Sequence, residues 1–282
     1  MRVFLFRFSL KQRQQRELFE RTDSQGQEYT RETWLREKFS KEFKFVHRSN
    51  EFFFVPEASE ITGIPTRLIV GWVARNRAMK ERTAPWDGLD PTEHESWQAA
   101  LIMIDPTDHA DGQKVAMESR PEVGNKPEAI LASLAKHISD ESPNGPFAVS
   151  AFPITIARSF MSFVEENKDK ISSITYDVAV PNMFNGTDDF SEEMRNLRDN
   201  ANISRVKTNL SSEGVITTEG THLAEIAVHA EQGGGNIKAR TIDDKTYNSD
   251  DYAASEDVDM EGTEPETPSY WKKIRSFIDK IF

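Results

Sequence analysis

The sequence predicts an α+β protein. Two mixed α/β lobes with largely antiparallel sheets are followed by a disordered acidic tether and a C-terminal amphipathic helix. Three observations predict this. Short apolar runs in the first half alternate with period two and return across brief turns, as hairpins do. In the second half, such runs take turns with segments of helical periodicity. From Asp243 to Pro268 the chain is acidic and nearly free of large apolar side chains, and it then becomes cationic and aromatic.

Residues 2–10 alternate, placing Phe4, Phe6 and Phe8 on one face of a buried first strand. Residues 11–28, rich in Gln and Arg, read as a loop or a mobile helix. Trp34, Leu35, Lys38 and Phe39 fall at helical spacing. Phe43 to His47 and Phe52 to Val55 form a hairpin about a turn at Ser49 and Asn50, and Pro56 ends it. Arg67 to Ala74 is a strand, residues 80–95 a polar connection, and Trp97 to Ile104 a strand closed by Asp105 and Pro106. The chain returns through Asp111 and Gly112 as Lys114 to Glu118. Pro127 suits a first helical position, and Ile130, Leu131, Leu134 and Ile138 face inward along the helix it opens.

A soft boundary at 141–146 separates an N-terminal lobe (1–142) from a C-terminal lobe (143–242). The second lobe reads as strand (Phe147 to Ile154), helix (Ile156 to Lys168), strand (Ile174 to Pro181), helix (Phe190 to Asn200) and strand (Ile203 to Leu210). A helix capped by Thr221 follows, with Leu223, Ile226, Ala227 and Ala230 in one stripe. Gly233 to Gly235 stop it, and Ile237 to Ile242 form the last strand. Residues 243–268 are the acidic linker and 269–282 the docking helix.

Eighteen Phe give the 282 residues a large apolar payload for a core. The absence of cysteine excludes disulfides and thiolate-metal sites and fits a reducing cytosol. No apolar run approaches the roughly 18 residues of a spanning helix, and Arg7 interrupts the short run at the N-terminus. The expected location is the cytoplasm, with the inner-membrane surface as one place for peripheral docking. The net charge of −12 is uneven. Residues 1–82 hold 17 Lys or Arg against 11 Asp or Glu, so an acidic chain hides a basic first third. Local field rather than net charge governs the attraction of polyanions over a Debye length of about 8–10 Å.

Several clusters invite chemistry. The triple glycine follows a helix and precedes a strand, the reverse of a phosphate-cradling loop. Asp105, Asp108, His109 and Asp111 crowd a hairpin tip where a hard cation would find oxygen ligands, but a hairpin tip built of turn-forming Asp and Gly accounts for them better. No pair among the six His has zinc-protease spacing, and there is no nucleophile elbow or nucleotide fingerprint. No catalytic residue, metal or cofactor is therefore assigned.

The basic strips carry the binding expectation. Arg75, Arg77, Lys80 and Arg82 follow a strand end, and Arg120, Lys126, Lys238 and Arg240 lie at other strand or loop ends. Such groups neutralise phosphates without reading sequence. In the last segment Trp271, Ile274, Ile278 and Ile281 form a helical stripe widened by Phe277 and Phe282. Its docking surface is the protein's own body, a partner protein or a membrane, and the acidic tether would keep it extended.

The layout resembles the RexA-like phage-exclusion proteins over residues 45–242. The shared elements are the hairpin from Asn50 to Val55, the apolar strand 97–104 and an Asp-rich turn with Gly112. After them come Val115 to Arg120, a glycine loop and a helix, and the strand Ile174 to Val180 ending in Pro181. The resemblance implies DNA binding, a homodimer and cooperation with a membrane-associated effector. It supplies no catalytic residue, and the acidic tail has no counterpart in that group. The expected function is a non-enzymatic nucleic-acid-binding sensor or adaptor in phage defence. The alternatives are a partner-binding scaffold without DNA binding and a metal-dependent nuclease.

Overall fold

A computed structural model describes residues 1–13, 26–58, 63–109, 112–141, 145–155, 159–179, 203, 205–218, 223–264 and 267–282. The expected helix Phe190 to Asn200, the cap Thr221 and the loop residue Asp111 lie outside them. The described residues form an α+β fold with two antiparallel sheets, as the alternating runs predict.

The first sheet is built on β1 (Arg2–Gln12), which places Phe6, Phe8 and Leu10 in one core and Val3 in another on the opposite face. β1 pairs on one edge with β6 (Gln113–Glu118) and on the other with β7 (Phe147–Pro153). The strand that the sequence reading assigned to the second lobe thus belongs to the first sheet. From β6 the order continues through β5 (Pro91–Ile104), β4 (Ile69–Arg82) and β3 (Asn50–Pro56) to the edge strand β2 (Phe43–His47).

Helix α1 (Arg31–Lys38) starts at Thr30, whose hydroxyl accepts the Thr33 N–H at 3.1 Å. α2 (Pro127–Asp140) has proline at its first turn and buries Ile130, Leu131, Leu134 and Ile138. Both helices contribute to one core, with Trp34, Leu35 and the Phe side chains of β1, β2 and β3.

The polar connection expected at 80–95 is instead mostly strand. β4 and β5 pair without interruption from Ile69↔Ile104 to Arg82↔Pro91. β3 accompanies β4 only to Arg75, and β6 accompanies β5 only from Ile102. Beyond Arg75 the pair runs on as a two-stranded arm. It closes through a 3₁₀ turn (Pro85–Asp87), Gly88 at φ 85° and Leu89 at φ 56°. Residues 76–82 and 91–97 are mostly exposed on both faces, so no alternation marks them, and backbone pairing alone makes the ribbon.

The second sheet runs β11 (Thr246–Asn248), β10 (Gly235–Thr241), β8 (Ile171–Ala179), β9 (Arg205–Ser211). α3 (Ser159–Glu166) and α4 (Leu223–His229) supply Phe160, Val164, Leu223, Ile226 and Ala227 to its core. A π turn, Ala230–Gly234, follows α4, with Gly233 at φ 87°. The three glycines therefore end a helix and admit a strand, as predicted.

The disordered linker expected at 243–268 requires correction. β11 pairs with β10, and β12 (Ser255–Asp257) pairs with Arg2 to Phe4 of β1. Backbone pairing and two isolated apolar anchors order this acidic stretch. Tyr247 packs near Phe160 and Phe163, and Val258 joins the core beneath the last helix.

That helix, α5 (Pro268–Ile281), is capped by Thr267 and lies on the first sheet, on the face opposite α1 and α2. Tyr270, Trp271, Ile274, Phe277 and Ile278 are buried with Val70, Leu101, Met103 and Ala116, and Ile281 and Phe282 are partly buried beside them. Lys280 pairs with Glu256 at 2.7 Å, and Lys114 donates to the Ile281 carbonyl at 3.2 Å. The docking stripe is thus occupied by the protein's own body, and the expectation of a freely extended anchor is overturned. Among the described residues no helix is long and apolar enough to cross a membrane.

Candidate anion-binding site

A concave pocket of about 260 Å³ opens where the arm leaves the sheet. The β2–β3 turn, the β4 segment at Arg75 and Arg77, and the loop leading into α2 converge there. Phe52, Val123 and Ile130, almost fully buried, form its floor, and Arg48, Arg77 and Lys126 are exposed at its rim. Arg75 and His47 are intermediate in depth. Four permanent cations line the pocket together with His47, and among the described residues no carboxylate does.

Local backbone geometry creates this convergence. Arg48 and Ser49 both take positive φ, 47° and 63°, as a tight two-residue hairpin turn requires. Neither is Gly or Asn, so the turn carries strain, and it brings Arg48 to the pocket. Phe52 and Arg75 are register partners across β3 and β4, and the guanidinium lies 5.4 Å from the Phe52 ring centroid. Arg75 Nη1 donates to the Val123 carbonyl at 3.2 Å, while its buried Nε has no hydrogen-bond partner among the described residues.

The site is electrostatically unbalanced. Burial, with the charge of Arg77 added, pulls the Arg75 pKa below its usual value. Burial also lowers that of His47, and the charges of Arg48 and Arg75 lower it further. His47 Nδ1 and Ser133 Oγ share a hydrogen bond of 2.8 Å, which fixes the ring against α2. Cations that lower the proton affinity of Arg75 and His47 form a field that an anion would relieve.

The structure distributes the eight predicted cations unequally. Arg75, Arg77 and Lys126 meet in the pocket. Lys80 and Arg82 lie along the arm, where Lys80 faces Glu93 at 4.0 Å and Arg82 donates to the Leu89 carbonyl at 2.9 Å. Arg120 is structural: it pairs with the buried Glu118 at 2.9 Å and donates to the Ala99 carbonyl. Lys238 and Arg240 sit on β10 of the other sheet, and Arg240 pairs with Asp244 at 2.6 Å. Sequence reasoning missed Arg48 and His47. Their position at a two-residue hairpin turn was the available signal.

Among the described residues of the Asp105 to Glu118 hairpin, Asp105, Asp108 and Glu118 are committed to internal bonds. Burial pushes the Asp105 carboxyl up, but hydrogen bonds from Thr107 and His109 outweigh it and hold it below the usual carboxylate range. Asp108 pairs with Arg31, and Glu118 accepts the Leu101 N–H as well as Arg120. Among the described residues no group of three His, Asp or Glu is placed to hold a metal ion. Comparison with protein-family models, curated proteins and solved structures gives no match to this chain.

Proposed function

We propose that this protein binds nucleic acid through its phosphates at the pocket between the β2–β3 turn and α2, and does no chemistry on it. The observation that carries the reading is the lining itself: four cations and, among the described residues, no carboxylate, over an apolar floor. Arginine suits phosphate because its planar fork donates two parallel hydrogen bonds. Part of the desolvation cost is already met in the fold, since Arg75 lies half-buried against Phe52. The wider role proposed is that of a sensor or adaptor in phage defence, which the resemblance to RexA-like proteins supports. Its effector would need a surface other than the apolar stripe of α5, because that stripe is buried.

Fluorescence anisotropy of a labelled oligonucleotide across a salt series tests the reading. Arg77→Glu with Lys126→Glu, both at exposed rim positions, should lower affinity about thirtyfold or more and make the log–log salt slope shallower by about 2. No binding of the parent protein at about 50 mM salt, or an unchanged slope in the double variant, would refute it.

A further inference from the structure

We infer that the pocket accepts the terminal phosphate of a nucleic-acid strand, the phosphomonoester of a chain end, in preference to the phosphodiesters within it. This rests on the nucleic-acid reading above and adds the part of the polymer that is recognised.

The depth at which the charges lie points to an end. If the cations served only to grip a passing backbone, the rim would suffice, and Arg48, Arg77 and Lys126 are there. Arg75 is set deeper. It lies against the nearly buried Phe52 ring, and its unpartnered Nε is shielded from solvent. Burial, with the charges of Arg48 and Arg75 added, lowers the pKa of His47 beside it. The anionic part of a ligand must therefore enter first to meet Arg75.

An internal phosphodiester carries a nucleoside on each side and stands on the convex face of a duplex, so it reaches the rim only. A terminal phosphate has one neighbour and can lead the strand inward. The space available, about 260 Å³, lies just below the usual range of ligand pockets, which suits a single phosphate-bearing end better than a stretch of strand. Charge favours the same ligand. A phosphomonoester carries about −1.5 to −2 near neutral pH and offers three acceptor oxygens. That matches four converging cations better than the single charge of a diester. Once the phosphate is seated, its nucleoside would lie toward the mouth, where Arg77 and Lys126 flank the following backbone.

Chain-end preference can be measured directly on the full chain. A single-stranded oligonucleotide of about ten residues, within the range of common single-strand site sizes, would be compared in three forms: 5′-phosphorylated, 3′-phosphorylated and with hydroxyls at both ends. Adenosine 5′-monophosphate serves as a competitor. One phosphorylated form should bind about tenfold or more tightly than the hydroxyl form, the effect of one or two added charge-assisted hydrogen bonds. Arg75→Lys, which keeps the charge but loses the fork, should erase most of that preference. Arg77→Gln should weaken all three forms alike and preserve their order.

Thermal unfolding of Arg75→Lys, matched to the parent, keeps the comparison free of a folding defect. Competition by the mononucleotide at millimolar concentration supports the pocket's taste for a monoester. Equal affinity for all three forms overturns the end preference and leaves general nucleic-acid binding standing. Absence of binding by every oligonucleotide refutes both.

Discussion

Ile274 is fully buried at the centre of α5, in a cluster with Val70, Leu101 and Met103. Replacing it with alanine removes three carbons from a site whose walls, a sheet and a helix, cannot collapse far. Ile→Ala changes of this kind cost about 2–5 kcal/mol, and full burial places this one near 3–4 kcal/mol. For a chain of this size each kcal/mol lowers Tm by about 2–4 °C, so a fall of about 6–16 °C is expected. Lys280→Ala is the internal contrast. It breaks only the ion pair to Glu256, in which the two side chains are 64% and 39% exposed, and should cost less than about 1 kcal/mol. Urea denaturation of both variants, with hydrogen exchange over residues 268–282, tests the pair. The reasoning fails if Ile274→Ala matches the parent within about 0.5 kcal/mol while the α5 amides exchange like an unstructured peptide. The segment would then be the free anchor that its composition first suggests.

Two further outcomes follow. Because the folded pKa of His47 lies below its unfolded value, the unfolded chain takes up that proton first. Stability should therefore fall as pH drops below about 6.5, and His47→Gln should flatten that part of the urea-midpoint profile; an unchanged profile would remove His47 from the account. Glu118, 5% exposed, accepts from the Leu101 N–H and from Arg120. Glu118→Ala removes the charged partner of Arg120, whose guanidinium is 36% exposed, and the acceptor of the Leu101 N–H, and should cost about 1–3 kcal/mol, read by chemical denaturation, whereas Glu118→Ala combined with Arg120→Met should recover part of that loss.

The parts of the fold that bury one face were legible because burial writes a period into the sequence. Phe4, Phe6 and Phe8 alternate along β1, and Ile130, Leu131, Leu134 and Ile138 mark α2 behind Pro127. The arm was not legible, since Ala78 to Arg82 and Thr92 to Glu95 are exposed on both faces and carry no period. β11 and β12 were hidden for a related reason. Composition records side chains, while these short strands are held by main-chain pairing and by Tyr247 and Val258. The apolar stripe of α5 was read correctly, but an amphipathic pattern does not say which surface will cover it. The pocket was half legible. Arg75, Arg77 and Lys126 stood out as cations, yet only the tertiary fold brings 47–52, 75–77 and 121–130 together.

The pairing of β1 with β12 sets a timetable for synthesis. Arg2 Nε donates to Ser255 Oγ across 253 positions, and the Met1 amine donates to the Val258 carbonyl across 257. A ribosome adding about 5–20 residues per second needs roughly 13–50 s to travel between them. From the synthesis of Met103 onward, the sheet face bearing Val3, Leu101 and Met103 waits for the segment that will cover it. A nascent chain with so long an uncovered apolar face is a natural client for chaperones. Premature termination between Ala116 and Tyr270 would release a product that displays that face permanently.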